Sequence, residues 1–423
     1  MVSFKNGVLK VDYNKEDVVR FIYDICFVVN AVTLFAFSDV MFIGSLTGVM
    51  MLVVSVFIWV GRRNTRVVIP YNTIWYLAFT AFVALSSLWS SYFSSGMSWY
   101  FLRMVIIAAM ITSVSIYVDK PEDLERIIKL YILSVLIIVM LEFSTVPIEN
   151  WTKGAMGSHF SGSNSNGVAF IVFCAELMAF YEFFSKNKKG YLLLVILFVA
   201  FIILTSSRKG LFAALAGPLL FVVFSTYKKN YILNILTVFS LAVLVFVFIM
   251  TDENAYQAIG RRFNSMFNFI FESQTTKTDN SMYMRMYYID LAKEVFSKSP
   301  ILGAGIGNFS YYIVSAYDLT GVYSHNNYWQ LLSEYGIIGF TIYYSMYLYL
   351  IIKLAKGAFV NKSRINLLFF VFMVLLLVLE TALVNYYSKM PHVVIAIAYA
   401  ATYVGEMDGR QYRYIENRQF DSE

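Results

Sequence analysis

Apolar runs of close to 20 residues recur along almost the whole chain, and that recurrence leaves few folds open. A helix needs about 20 apolar residues to cross roughly 30 Å of hydrocarbon, and every backbone polar group inside must be satisfied within it. Twelve such runs are read, at about 21–37, 40–60, 72–90, 99–118, 127–147, 166–185, 191–206, 210–226, 231–251, 327–355, 364–387 and 391–407. At 59% hydrophobic and 14% charged over 423 residues, the chain has too little polar surface to cover a soluble particle. It reads as an all-α polytopic membrane protein with about 12 transmembrane helices.

Lysine and arginine set the orientation, because basic residues near helix ends stay on the cytoplasmic side. With the N-terminus inside, they fall in every expected inside segment. These are Lys5 to Arg20, Arg62 to Arg66, Lys120 to Lys129, Lys186 to Lys189, Lys228 and Lys229, Lys353 to Arg364, and Arg410 to Arg418. The formal charge of +6 is mostly this anchoring, and no nucleic-acid partner is expected. The first 20 residues are polar and charged, so no cleavable signal peptide is expected, and the first span would direct insertion. The division that follows is residues 1–251 for spans one to nine, 252–326 for a long outer loop, and 327–423 for the last three spans and a cytoplasmic tail. Cys26 and Cys174 lie inside expected spans, and the three histidines lie in separate segments. Neither a disulfide framework nor a zinc site is expected.

The outer loop is far longer than an ordinary connection. Met284, Tyr287, Tyr288, Leu291, Ala292 and Val295 recur at helical spacing after the polar run Thr278-Asp279-Asn280-Ser281. Arg285 falls off that stripe and points either into a cavity or into water. Gly303, Gly305 and Gly307 follow Pro300; they read as a structural turn, with anion binding by their N–H groups as the alternative. His325, beside Asn326 and Asn327, is suited to general-base work, while a capping or interfacial histidine is the plainer reading. Arg208 and Lys209 sit at the outer surface against the positive-inside pattern; they suit a phosphate or diphosphate, or snorkel to lipid headgroups. The segment from Gly157 to Gly167, with His159, lines a sugar path or caps a helix. Arg103, Glu142, Glu176 and Glu380 lie within spans, where charge is costly and needs a partner or an aqueous cavity.

Taken in order, Ser206-Ser207-Arg208, then Arg285, then Lys298 to Phe309 with its glycines, then Ser324-His325-Asn326-Asn327-Tyr328 and Glu334-Tyr335-Gly336-Ile337-Ile338-Gly339 resemble the O-antigen polymerase and O-antigen ligase superfamily of bacterial envelopes. The resemblance runs from about 155 to 345. It implies a GT-C-like membrane glycosyltransferase with a large helical periplasmic loop, needing no metal, nucleotide or other cofactor. Such enzymes, in the bacterial inner membrane, take a glycan from an undecaprenyl-diphosphate carrier at the periplasmic face. The acceptor is a lipid-linked repeat unit for a polymerase or lipid A core for a ligase. The resemblance makes His325 the catalytic base and Arg208 and Arg285 the diphosphate-binding arginines, with Lys209 and Asn326 beside them in the substrate-binding set. A flippase and a chain-length regulator are the protein partners it implies. A lipid-linked glycan flippase or other transporter is the alternative from another class. Against it, the two halves show no internal repeat, and the polar features gather on one face of the membrane.

Overall fold

In a computed structural model, the residues described are 2–5, 8–11, 15–36, 41–61, 69–91, 97–153, 156–157, 165–225, scattered positions between 236 and 260, 280–317 and 323–420. The fold is an all-α bundle of a polytopic membrane protein, preceded by a short hairpin in which β1 (Val2–Lys5) pairs antiparallel with β2 (Val8–Val11). The helices are α1 (Lys15–Ala36), α2 (Met41–Gly61), α3 (Tyr71–Ser86), α4 (Met97–Tyr117), α5 (Pro121–Thr145), α6 (Ser165–Lys186), α7 (Tyr191–Leu204) and α8 (Arg208–Ser225). Then come α9 (Asn280–Lys298), α10 (Asn308–Tyr317), α11 (Asn327–Ala355), α12 (Arg364–Glu380) and α13 (Lys389–Phe420).

Among the described residues six helical stretches are long and apolar enough to cross a membrane: Ile43–Gly61, Tyr100–Tyr117, Pro121–Thr145, Ser165–Lys186, Arg208–Ser225 and Asn327–Val360. Most of the expected ninth span, the run Thr278-Asp279, His159, and the basic connections at Arg62 to Arg66 and at Lys228 and Lys229 lie outside the described residues. The span expected at 364–387 is corrected. Helix α12 stops at Glu380, and residues 381–388 form a non-helical loop before α13 begins. Pro391 sits in the first turn of α13, where its missing N–H costs nothing.

The two ends of the bundle differ in chemistry. At one end Arg20 pairs with Asp123, Arg126 grips Asp24 with its Nε 2.9 and 3.0 Å from the two carboxylate oxygens, and Lys188 reaches Glu125 at 2.9 Å. These pairs tie α1, α5 and the α6–α7 connection together at the end expected inside. Glu142, read as an intramembrane charge in need of a partner, accepts from the Gly157 N–H at 3.1 Å. The opposite end gathers the start of α8, the start of α11, the 381–388 loop and the outer segment with α9 and α10.

Helix α9 keeps the expected stripe. Leu291, Ala292 and Val295 are buried with Phe309 and Ile313 of α10, and Trp329 of α11 packs against them. The glycine segment then threads between two helices. Gly303, Gly305 and Gly307 all have positive φ, at 72°, 96° and 70°. The Ala304 and Gly305 N–H groups donate to the carbonyls of Ser333 and Glu334 at 2.9 and 2.8 Å, and the Ile306 N–H donates to Ser86 Oγ at 3.1 Å. In return Ile337 and Ile338 donate to Pro300 and Ile301. This exchange needs a break in α11, and Gly336 supplies it at φ 60°, ψ −166°. The amides of Gly303, Ala304, Gly305 and Ile306 thus all donate within the fold, which favours the structural-turn reading of the glycine run.

Candidate active site

His325 lies in the short segment that enters α11, in the left-handed region at φ 57°. A non-glycine residue pays about 1–2 kcal/mol for that conformation and keeps it only where the surroundings fix it. They do so here. The Ser324 N–H donates to Gln330 Oε1 at 2.8 Å, and Ser324 Oγ donates to the Asn326 carbonyl at 2.7 Å. Gln330 Nε2 donates to Glu334 Oε1 at 3.0 Å, and Tyr386 Oη donates to the other oxygen of Glu334 at 2.8 Å. A buried polar chain therefore runs beneath the histidine from Ser324 to the 381–388 loop. The imidazole packs against Tyr323, with centroids 4.0 Å apart, and is stacked with Tyr288 of α9 at 6.0 Å.

Burial pushes the His325 imidazole down from 6.5 to about 4, and the positive charges of Arg285 and Lys209 push it the same way. It is therefore a neutral base throughout the working range of most proteins. Arg285, left open between cavity and water by its sequence position, lies on the site side of α9 within electrostatic reach of both His325 and Lys209. Arg208, half-buried at the N-terminus of α8, acts on Lys209 and stands one step further from the histidine. Its position joins a guanidinium to a helix N-terminus, both of which favour an anion. Ser207 Oγ accepts from the Gly210 N–H at 3.2 Å and donates to Asn166 Oδ1 at 2.9 Å, so this hydroxyl caps the helix.

Two expected binding residues have structural work. Lys209 Nζ donates to the Ala382 carbonyl. Asn326 caps α11: its Oδ1 accepts from the Trp329 N–H at 3.1 Å, and its Nδ2 donates to the Thr381 carbonyl at 2.9 Å. Both anchor the 381–388 loop, which also gives the Asn385 and Tyr386 N–H groups to Asn327 Oδ1. That loop is the part of the site missed from the sequence. The signals were Asn385, Ser388 and Pro391 at the end of an apolar run, which a 20-residue window averages away.

A pH profile checks the histidine. As pH falls through the value for the free protein the imidazole gains its proton and the base is lost, so kcat/KM should hold down to about pH 5 and fall near 4. A bound anion would offset Arg285 and Lys209, so the acid limb of kcat should lie higher than that of kcat/KM. An unperturbed limb near 6.5 in kcat/KM would contradict the buried setting described here.

Residues 192–344 match the family model described as O-antigen ligase. The matched segment runs from α7 to the middle of α11 and contains Arg208, Arg285 and His325. It supports membership in the O-antigen ligase and polymerase superfamily, and with it a glycosyl-transferring activity in O-antigen assembly. No curated protein matches the chain significantly.

Proposed function

From the premise that residues 192–344 carry the O-antigen ligase family's domain, we propose that this protein is a polymerase of lipid-linked O-antigen repeat units at the periplasmic face of the bacterial inner membrane. The observation that carries the transfer reading, for either acceptor, is a half-buried His325 held neutral beside Arg285 and Lys209, at the bundle end opposite the ion-paired one. In the step proposed, His325 takes the proton of the acceptor hydroxyl as its oxygen bonds to the anomeric carbon of the donor glycan. The bond from that carbon to the undecaprenyl diphosphate breaks, and the diphosphate leaves with the electron pair. Arg285 and Arg208 stabilise the charge that develops on it, and cations preset where charge appears act strongly in a site poor in water. A donor diphosphate bound at Arg285 and Lys209 would offset their charges and raise the basicity of His325 toward the working pH. A flippase would deliver the donor, and a chain-length regulator would set the extent of polymerisation.

The family's name, O-antigen ligase, favours a second acceptor, lipid A core, and hence a ligase. The surface-polysaccharide gel profile of a strain lacking this protein separates the two. Core bearing one repeat unit and no ladder marks a polymerase. Bare core with long lipid-linked chains accumulating marks a ligase, and an unchanged ladder refutes both.

Arg285→Ala and Arg208→Ala should each lower transfer, by about 10²–10³-fold for the residue nearer the leaving oxygen. Arg→Lys should restore only part, since a point charge replaces a planar fork. Single-turnover assays on purified protein measure this, and near-normal rates in an alanine variant remove that residue from the diphosphate role.

A further inference from the structure

A second pair of cations lies across the 381–388 loop from Lys209 and Arg285. Arg103 of α4 holds its guanidinium carbon 5.9 Å from the ring centroid of Tyr387. Lys389, the first residue of α13, lies within electrostatic reach of Arg103. Both side chains are half-buried, and among the described residues neither makes an ion pair with a carboxylate. Two like charges held together partly out of water repel, and the arrangement becomes favourable when an anion joins them.

The loop gives this pair a fixed relation to the histidine. Near its start the Thr381 carbonyl holds Asn326, next to His325, and the Ala382 carbonyl holds Lys209. Its far end carries Tyr387 and leads into Lys389. Tyr387 is walled by Tyr100 at 5.5 Å and Tyr386 at 4.8 Å, and Tyr386 is itself fixed to Glu334. Tyr323, packed on His325, lies within electrostatic reach of Tyr387. One short loop therefore carries a cationic group at each end, and the two neighbours of His325 reach it, Asn326 at Thr381 and Tyr323 at Tyr387. Arg103 lies within two turns of the start of α4, inside its apolar stretch Tyr100–Tyr117, where a charge is costly without a partner.

We propose that Arg103 and Lys389 form a second anion site, which holds the diphosphate of the acceptor lipid while Arg208 and Arg285 hold that of the donor. The assignment of this site to an acceptor rests on the transfer reading above; the presence of a second diphosphate site does not. Two diphosphates on opposite sides of His325 would bring the donor's anomeric carbon and the acceptor's hydroxyl to the same base. The other source of the same chemistry is a bulk phospholipid headgroup.

Two measurements on the full chain in nanodiscs test this. Titration with farnesyl diphosphate should show two equivalents bound by the wild type and one by Arg103→Gln, whether or not transfer occurs; one equivalent in the wild type overturns the second site. The kinetic assay uses lipid-linked glycan extracted from a strain lacking the protein, with two acceptors: the diphosphate-linked repeat unit and the same unit as a methyl glycoside. Arg103→Gln and Lys389→Gln should raise KM for the diphosphate acceptor by about tenfold or more, and should erase the wild type's preference for it over the methyl glycoside. A KM that moves equally for both acceptors, or for neither, overturns the acceptor assignment. So does a variant effect limited to a lower melting temperature in phosphatidylglycerol discs and not in phosphatidylcholine discs, which marks a headgroup contact. A wild type that binds two equivalents and transfers to neither acceptor refutes the transfer reading and leaves the second anion site standing.

Discussion

On the proposed transfer reading, His325→Ala should remove the O-antigen ladder while leaving protein level and membrane insertion normal. Loss of a positioned general base lowers transfer by about 10²–10⁴-fold, enough to erase long chains from a gel. The side chain is half-buried, and the segment around it is held by Ser324, Gln330 and Asn326, so truncating the ring leaves the backbone anchors in place. Alanine also sits in the left-handed region no worse than histidine by more than a small amount. Gel profiles of the complemented null strain, with immunoblots of the membrane fraction, measure the effect. A full ladder from His325→Ala would leave the site without its base and would bring the transporter alternative forward.

Gly303→Ala should strongly destabilise the protein. An added Cβ would lie 2.4 Å from the backbone of Glu334 and Tyr335, and φ at this position is +72°. The left-handed conformation costs about 1–2 kcal/mol for a residue with a Cβ, and forcing the two backbones apart costs about 1–3 kcal/mol more. That sum is a large share of a typical stability of about 5–15 kcal/mol. The displaced contact also carries the hydrogen bonds from Ala304 to Ser333 and from Gly305 to Glu334. Gly167→Ala, where no atom lies within 4 Å of the added Cβ, is the control. Size-exclusion profiles and thermal midpoints in detergent compare them, and equal behaviour of the two variants would refute the backbone exchange at Gly303.

Much of the bundle is legible in the sequence because a membrane span announces itself by composition alone. The runs read at 99–118 and 166–185 correspond to Met97–Tyr117 and Ser165–Lys186. The α9 stripe was equally plain, since Leu291, Ala292 and Val295 had to find a common apolar partner. What could not be read depends on contacts between distant parts of the chain. Lys209 and Ala382 are 173 positions apart, and no local pattern announces their bond. Asn326 offered a polar side chain next to a histidine, which looks the same in sequence whether it binds a ligand or caps a helix. The end of α12 at Glu380 was hidden because Ala382, Leu383 and Val384 keep the run apolar after the helix has stopped. Arg103 was visible as an intramembrane charge, but its company with Tyr387 and Lys389 needed the fold.

The break in α11 at Gly336 has a thermodynamic meaning for the site. It lets the helix that delivers His325 share backbone bonds with the strand of chain leading out of α9, which delivers Arg285. His325 and this arginine therefore belong to one block, whose internal spacing is fixed when the protein folds. The conformational entropy of bringing them together is lost once in the lifetime of the molecule and not at each encounter with substrate. On the proposed function, a lipid carrier with a long, floppy tail would then have only its own head group to immobilise.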